Sequence, residues 1–285
     1  MTESGVIGQQ RGETEDENRT CFGRRRNAWN LYSRSTGCFL EQGIHFDGVN
    51  GVSAGALHGC SFVSGQKGRS LRYIKKYRND KHFMSWWSFL HTGEVVGRQF
   101  CYHDIPERLD PFDYEAFIES DTAFYATCTN VETGKAEYIK ITDMMTQIDA
   151  MRASASMPYV SKIVNYKGMK LLDGGCADSI PVEAFKRMGY DRIVVVLTRE
   201  TGFVKKPENT KMAEIRYHKY PEFVHTLQNR HNVYNHNLDV IKELERKGEV
   251  FVIQPDKKLD ISRMENNLEV IQQAYDMGEK DATSV

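Results

Sequence analysis

Five residues constrain this chain more than any others: Gly51-Val52-Ser53-Ala54-Gly55, a G-x-S-x-G pentapeptide inside Phe46 to Cys60. His45, Phe46, Val49 and Val52 before the serine suit a short buried strand, and Ala54, Ala56 and Leu57 after it suit the first turns of a packed helix. A serine on so sharp a strand-to-helix turn has a strained backbone, and its hydroxyl is pushed out at the end of a sheet. The flanking glycines fit because a Cβ at either place would collide with the turn. The helix N-terminus just behind offers N–H groups, Ala54's among them, and a partial positive charge to a developing oxyanion. A pentapeptide with three fixed positions recurs by chance, so its meaning depends on what stands downstream.

Downstream, Thr122 to Thr129 and Ala136 to Ile141 alternate as strands around a turn at Asn130 to Gly134. Gln147 to Ser156 is a helix rich in small residues that ends before Pro158. Val160 to Leu172 reads as a hairpin turning at Tyr166-Lys167-Gly168, and its second strand runs into Asp173-Gly174-Gly175. Asp-Gly is a common solvated turn. Here Lys170-Leu171-Leu172 enters the core immediately before it, which points to a carboxylate at the end of a buried strand. Val182 to Met188 is a helix, and Asp191 to Leu197 has the unbroken apolar core of a central parallel strand covered on both faces.

Nearer the start, Leu40 to Ile44 ends a helix with Gly43 at its C-cap. Gly68 to Asn79 and Pro111 to Ser120 are helical. Ser85 to Leu90, SWWSFL, reads as a satellite of the core, with a lid or acyl-chain contact as the alternative. After Lys206-Pro207 the chain turns polar: Glu222 to Lys247 and Ser262 to Met277 are helical, with a strand at Val250 to Ile253 between them. This stretch carries no catalytic signature. His218, His225, His231 and His236 match no metal-ligand spacing and read as surface residues.

With 285 residues the chain can build one large α/β domain with an extension. A formal net charge of −1 implies no polyanion-binding face and no nucleic-acid partner. Cys21, Cys38, Cys60, Cys101, Cys128 and Cys176 lack C-x-x-C spacing and read as reduced thiols rather than a disulfide framework or zinc site. No metal or cofactor is expected. No apolar run approaches the roughly 20 residues of a membrane span, and no signal-peptide core is seen. A cytoplasmic location is therefore expected.

Residues 1–38 differ from the rest. Arg11 to Arg26 is charged, with an Arg24-Arg25-Arg26 run and no apolar period, a composition that reads as disordered. Shifted by one base with permitted codons, Arg19 to Cys38 can encode GLVLEGGGMRGIYTAGVLDV: an apolar strand, a G-x-G-x-x-G loop and a helix. Asp16-Glu17-Asn18 can then supply a start codon, and Arg11-Gly12-Glu13 a ribosome-binding site. The frame returns at Cys38-Phe39. We therefore read residues 1–38 as a mistranslated, disordered segment. Residues 39–205 are then the main α/β domain, without this strand and glycine-rich loop, and 206–285 a mainly helical extension. On this reading the sheet has an unfilled place beside the strand leading to Ser53, and the chain as written is poorly soluble and nearly inactive.

The GVSAGA elbow, the later Asp173-Gly174-Gly175 at a strand end, and the small-residue helix with Pro158 between them resemble the patatin-like phospholipases, closest to the bacterial branch. The shifted GGGMRG string looks like that family's glycine-rich loop. The resemblance covers about Phe39 to Leu197. It implies a three-layer α/β/α fold with a mostly parallel central sheet, and lipid acyl-ester hydrolysis by a Ser–Asp dyad without histidine. Ser53 is then the nucleophile and Asp173 the base. Two other readings stay open: a Ser-Asp-His α/β-hydrolase using a late histidine, and a non-catalytic lipid-binding or regulatory relic. The implied partner is a lipid or other acyl ester, met at a membrane surface through residues such as Trp86 and Trp87. The sequence leaves the oligomeric state open.

Overall fold

The computed structural model describes residues 4–9, 39–41 and 43–254. Its strands are β1 (Ser4–Gln9), β2 (Gly48–Val52), β3 (Ala123–Asn130), β4 (Ala136–Ile141), β5 (Val164–Tyr166), β6 (Met169–Asp173), β7 (Arg192–Leu197) and β8 (Val250–Ile253). The α-helices beyond residue 43 are α1 (Ala54–Val63), α2 (Arg69–Tyr77), α3 (Trp86–Thr92), α4 (Tyr114–Glu119), α5 (Ile148–Ser154), α6 (Val182–Arg187), α7 (Lys211–Arg216) and α8 (Pro221–Arg246). A π-helical stretch, Phe100–Leu109, lies between α3 and α4 and contains Pro106. No motif or periodicity announced it.

Strand alternation sends successive side chains to opposite faces. On β7, Ile193, Val195 and Leu197 meet Phe185 of α6 and Tyr234, Leu238 and Ile241 of α8. On β3, Phe124, Ala126 and Cys128 face the other way, toward Ala56 and Cys60 of α1, Phe117 of α4, and Ala150 and Met151 of α5. The result is three layers, α/β/α, with the sheet in the middle.

The sheet runs β5-β6-β3-β2-β1-β7-β8, with β4 also on β3. From the pairings, β2, β3, β5, β7 and β8 run one way and β1, β4 and β6 the other. The shared direction of β2, β3, β7 and β8 is the expected parallel centre. β3 has a special place. β4 holds one of its edges along Phe124 to Thr129. The other edge is divided, β2 pairing in parallel with Ala123 to Thr127 and β6 antiparallel with Cys128 to Asn130. Being opposite in direction, β2 and β6 point their C-terminal ends at each other across that division.

One expectation is corrected. The place beside the Ser53 strand is filled: β1 runs antiparallel between β2 and β7, with Ile7 opposite Val49 and Val194. Two open edges flanked by apolar faces accept any short extended segment that brings backbone partners and alternating Val6 and Ile7. The C-terminal stretch, expected as a mainly helical extension with a strand at Val250 to Ile253, is built into the fold. β8 extends the sheet in parallel beside β7, and α8 closes one face of the core. Residues 10–38, where the shifted-frame reading mostly falls, and the helix expected at Ser262 to Met277 lie outside the described residues.

Candidate active site

β2 turns into α1 at Ser53, and the turn is as sharp as the pentapeptide requires. A Cβ on Gly51 would lie 2.3 Å from the Ala56 Cα, so the strand can approach the helix only with glycine there. Ser53 has φ 57° and ψ −119°, a region that costs a residue with a side chain about 1–3 kcal/mol. Its surroundings hold it in place. The Ser53 N–H donates to Ser154 Oγ at 3.1 Å, and Ser154 Oγ donates to the Thr127 carbonyl at 2.7 Å. The Ser53 carbonyl accepts from the Ala56 N–H at 3.0 Å. Gly55 lies in the buried first turn of α1.

Asp173 ends β6 where β2 stops. Its N–H donates to the Ser156 carbonyl at 2.9 Å, and its own carbonyl accepts from Thr129 Oγ1 at 2.8 Å. The chain then folds away tightly. A Cβ on Gly174 would lie 2.1 Å from the Thr127 carbonyl oxygen. The Gly175 N–H returns to Asp173 Oδ1 at 2.8 Å. The second oxygen, Oδ2, accepts from Ser53 Oγ at 2.7 Å. Two residues 120 positions apart in the chain are thereby joined.

Ser53 is 5 % exposed and Asp173 1 %. Burial pushes the Asp173 carboxyl above the usual carboxylate range, opposed by the Ser53 hydroxyl, the Arg230 charge and the Gly175 N–H. A raised pKa makes the carboxylate a stronger base than one in water. The first N–H groups of α1, beginning at Ala54, have no partners inside the helix and lie directly after the serine. The arrangement can take a proton from a hydroxyl and receive negative charge beside it.

Reading the sequence brought out Ser53 and Asp173 with Gly51, Val52, Ala54, Gly55, Gly174 and Gly175, and the structure gathers these around one turn. It missed Ser154 and Thr129, whose hydroxyls hold the two backbone ends. The small-residue helix was read only for close packing, although a serine at its buried end carried the signal. SWWSFL is no core satellite. In α3 only Ser88 is buried, while Trp86 is 62 % and Leu90 80 % exposed. A seven-residue helix buries one narrow face, and neither tryptophan lies on it.

Among the described residues no helix is long and apolar enough to cross a membrane. A profile for a domain of unknown function matches residues 220–284, the stretch that includes α8 and β8. The profile of the patatin-like phospholipases matches residues 32–186, more than half the chain, including Ser53 and Asp173. With the α/β/α layering, this places the chain in a family of lipid acyl hydrolases: it belongs to the patatin-like phospholipases.

Proposed function

We propose that this protein hydrolyses carboxylic esters of a lipid through a serine acyl-enzyme, with Ser53 as nucleophile and Asp173 as base. The observation that carries this is the 2.7 Å hydrogen bond from Ser53 Oγ to Asp173 Oδ2. Asp173 takes the hydroxyl proton as Oγ attacks the ester carbonyl carbon. The tetrahedral oxyanion lies at the start of α1 and accepts from the Ala54 N–H. The C–O bond to the leaving alcohol then breaks, and Asp173 returns the proton to that alcohol. Water, deprotonated by the same carboxylate, attacks the acyl carbon and frees Ser53. A positioned base contributes about a hundred- to ten-thousand-fold. Each oxyanion donor contributes about 2.7–4 kcal/mol. The chain as written lacks the glycine-rich loop that would add donors, so turnover is expected to rise when that frame is restored.

A Ser-Asp-His triad is less well supported. Both Asp173 oxygens are occupied, by Ser53 and by the Gly175 N–H. The late histidines His218 and His231 bond the carbonyls of Ile215 and Gln228 on their own helical turns. A fluorophosphonate probe tests the reading directly: it should label the folded protein at Ser53, and Ser53→Ala should abolish labelling. A folded protein that stays unlabelled would favour the non-catalytic relic.

The substrate side is argued from α3. Trp86, Trp87 and Leu90 form an exposed apolar group, suited to the headgroup level of a bilayer, where aromatic rings settle. The protein is expected to co-sediment with phosphatidylcholine vesicles, and Trp86→Ser with Leu90→Ser should weaken that binding. Equal sedimentation of this double variant would rule the patch out.

A further inference from the structure

The turn after Asp173 is gripped from the far end of the chain. α8 lies on the core through a stripe of buried side chains that includes Phe223, Val224, Tyr234, Leu238 and Ile241, and a cation stands within the stripe. Arg230 is 6 % exposed. Its Nε donates to the Gly175 carbonyl at 2.5 Å, beside Ser179 Oγ at 2.8 Å on the same oxygen. Nη1 lies 3.9 Å from Glu208 Oε1, and Nη2 is buried without a hydrogen-bond partner among the described residues. A buried guanidinium whose Nη2 is left without a hydrogen bond is a poor choice for packing, since an apolar side chain of that volume avoids the desolvation.

We propose that Arg230 is a positioning residue for acyl transfer: it holds Gly175 so that the Gly175 N–H fixes one oxygen of Asp173 and leaves the other to Ser53. The line of contacts is continuous, from Arg230 Nε to the Gly175 carbonyl, from the Gly175 N–H to Asp173 Oδ1, and from Asp173 Oδ2 to Ser53 Oγ. The C-terminal region thus enters the catalytic machinery without touching substrate. Its positive charge also favours the ionised carboxylate against burial. The other groups facing Asp173 are the Cys128 thiol from β3, the Cys176 thiol from the turn and the Ser53 hydroxyl. Around Arg230 stand Glu208 and Lys205, which pair with each other at 2.8 Å.

The inference rests on the dyad reading, and its test separates the two. In the full-length protein, Arg230→Met should lower kcat for ester hydrolysis about a hundredfold, as small misplacements of a catalytic group do, with KM little changed. Without the arginine charge Asp173 protonates more readily, so the acid limb of the kcat/KM profile should move to higher pH. The carboxyl carbon of Asp173, followed by NMR and assigned through Asp173→Asn, should titrate higher by the same interval. Arg230→Lys should return both toward wild type. If the methionine variant fails to fold, Arg230→Gln keeps a donor for Gly175 while losing the charge, and the titration should still move up. A folded neutral variant whose acid limb and Asp173 titration superimpose on wild type would overturn the proposal. Protein without turnover even after the shifted frame is restored would sink the acyl-transfer reading alone, and the NMR titration would then decide the Arg230–Asp173 coupling.

Discussion

Ser53→Ala and Asp173→Asn should each lower p-nitrophenyl ester hydrolysis about a thousandfold or more, with circular dichroism unchanged. The alanine removes the proposed nucleophile. The asparagine keeps the shape and the Gly175 contact but presents an amide that cannot take the Ser53 proton. Asp173→Asn carries a second expected result of opposite sign. Burial raises the folded Asp173 pKa, so folding favours the protonated form. The stability associated with that proton is fully present below the unfolded pKa, near 3.9. It is lost as pH rises through the raised folded value. An asparagine never ionises and escapes this loss. The variant should therefore melt above wild type at neutral pH, and the two melting temperatures should converge as the solution is acidified. Gain of stability with loss of activity marks a residue kept for chemistry. Substantial turnover in either folded variant would remove Ser53 or Asp173 from its role.

Gly51→Ala should be among the most damaging single-methyl additions in the molecule. The new Cβ would meet the Ala56 Cα at 2.3 Å. Backbone atoms of a helix start cannot rotate aside as a side chain can, so β2 and α1 must separate. Forced overpacking of this kind costs about 3 kcal/mol, or roughly 6–12 °C of melting temperature in a protein of this size. The same separation moves Ser53 away from Ser154 and Asp173, and activity should fall even below the melting temperature. Differential scanning calorimetry beside an ester assay measures both. A melting temperature within a degree of wild type would mean that the elbow tolerates a wider approach.

Much of this arrangement is written in local sequence. Gly51 and Ser53 announce an elbow because only a small set of residues can occupy one. Thr122 to Thr129 and Ala136 to Ile141 announce two strands by alternation, and Lys167-Gly168, both at positive φ, announce the hairpin turn before Asp173. What stayed hidden is what depends on tertiary partners. β1 is six residues containing two glycines, with little strand propensity of its own. It becomes a strand because two edges await one. Arg230 was hidden for a different reason. A polar helix with scattered apolar residues looks like a surface helix, and only the spacing of Arg230 with Tyr234 and Leu238 places the cation on the buried stripe. An arginine at a core-facing helical position was the signal available.

The end-to-end meeting of β2 and β6 on one edge of β3 has a consequence for how function returns after unfolding. Neither β2 nor β6 touches the other along its length, so no local pairing draws Ser53 toward Asp173. Each must first find its own stretch of β3, across chain separations of some 75 and 45 residues. Long loops close slowly relative to helices and hairpins. A refolding chain can thus regain most of its helical signal, and even a compact core, while Ser53 and Asp173 are still apart. Competence arrives as a late event, when the second of two independent registrations is complete. A slip of one residue in either would turn Ser53 or Asp173 to the wrong face of the sheet.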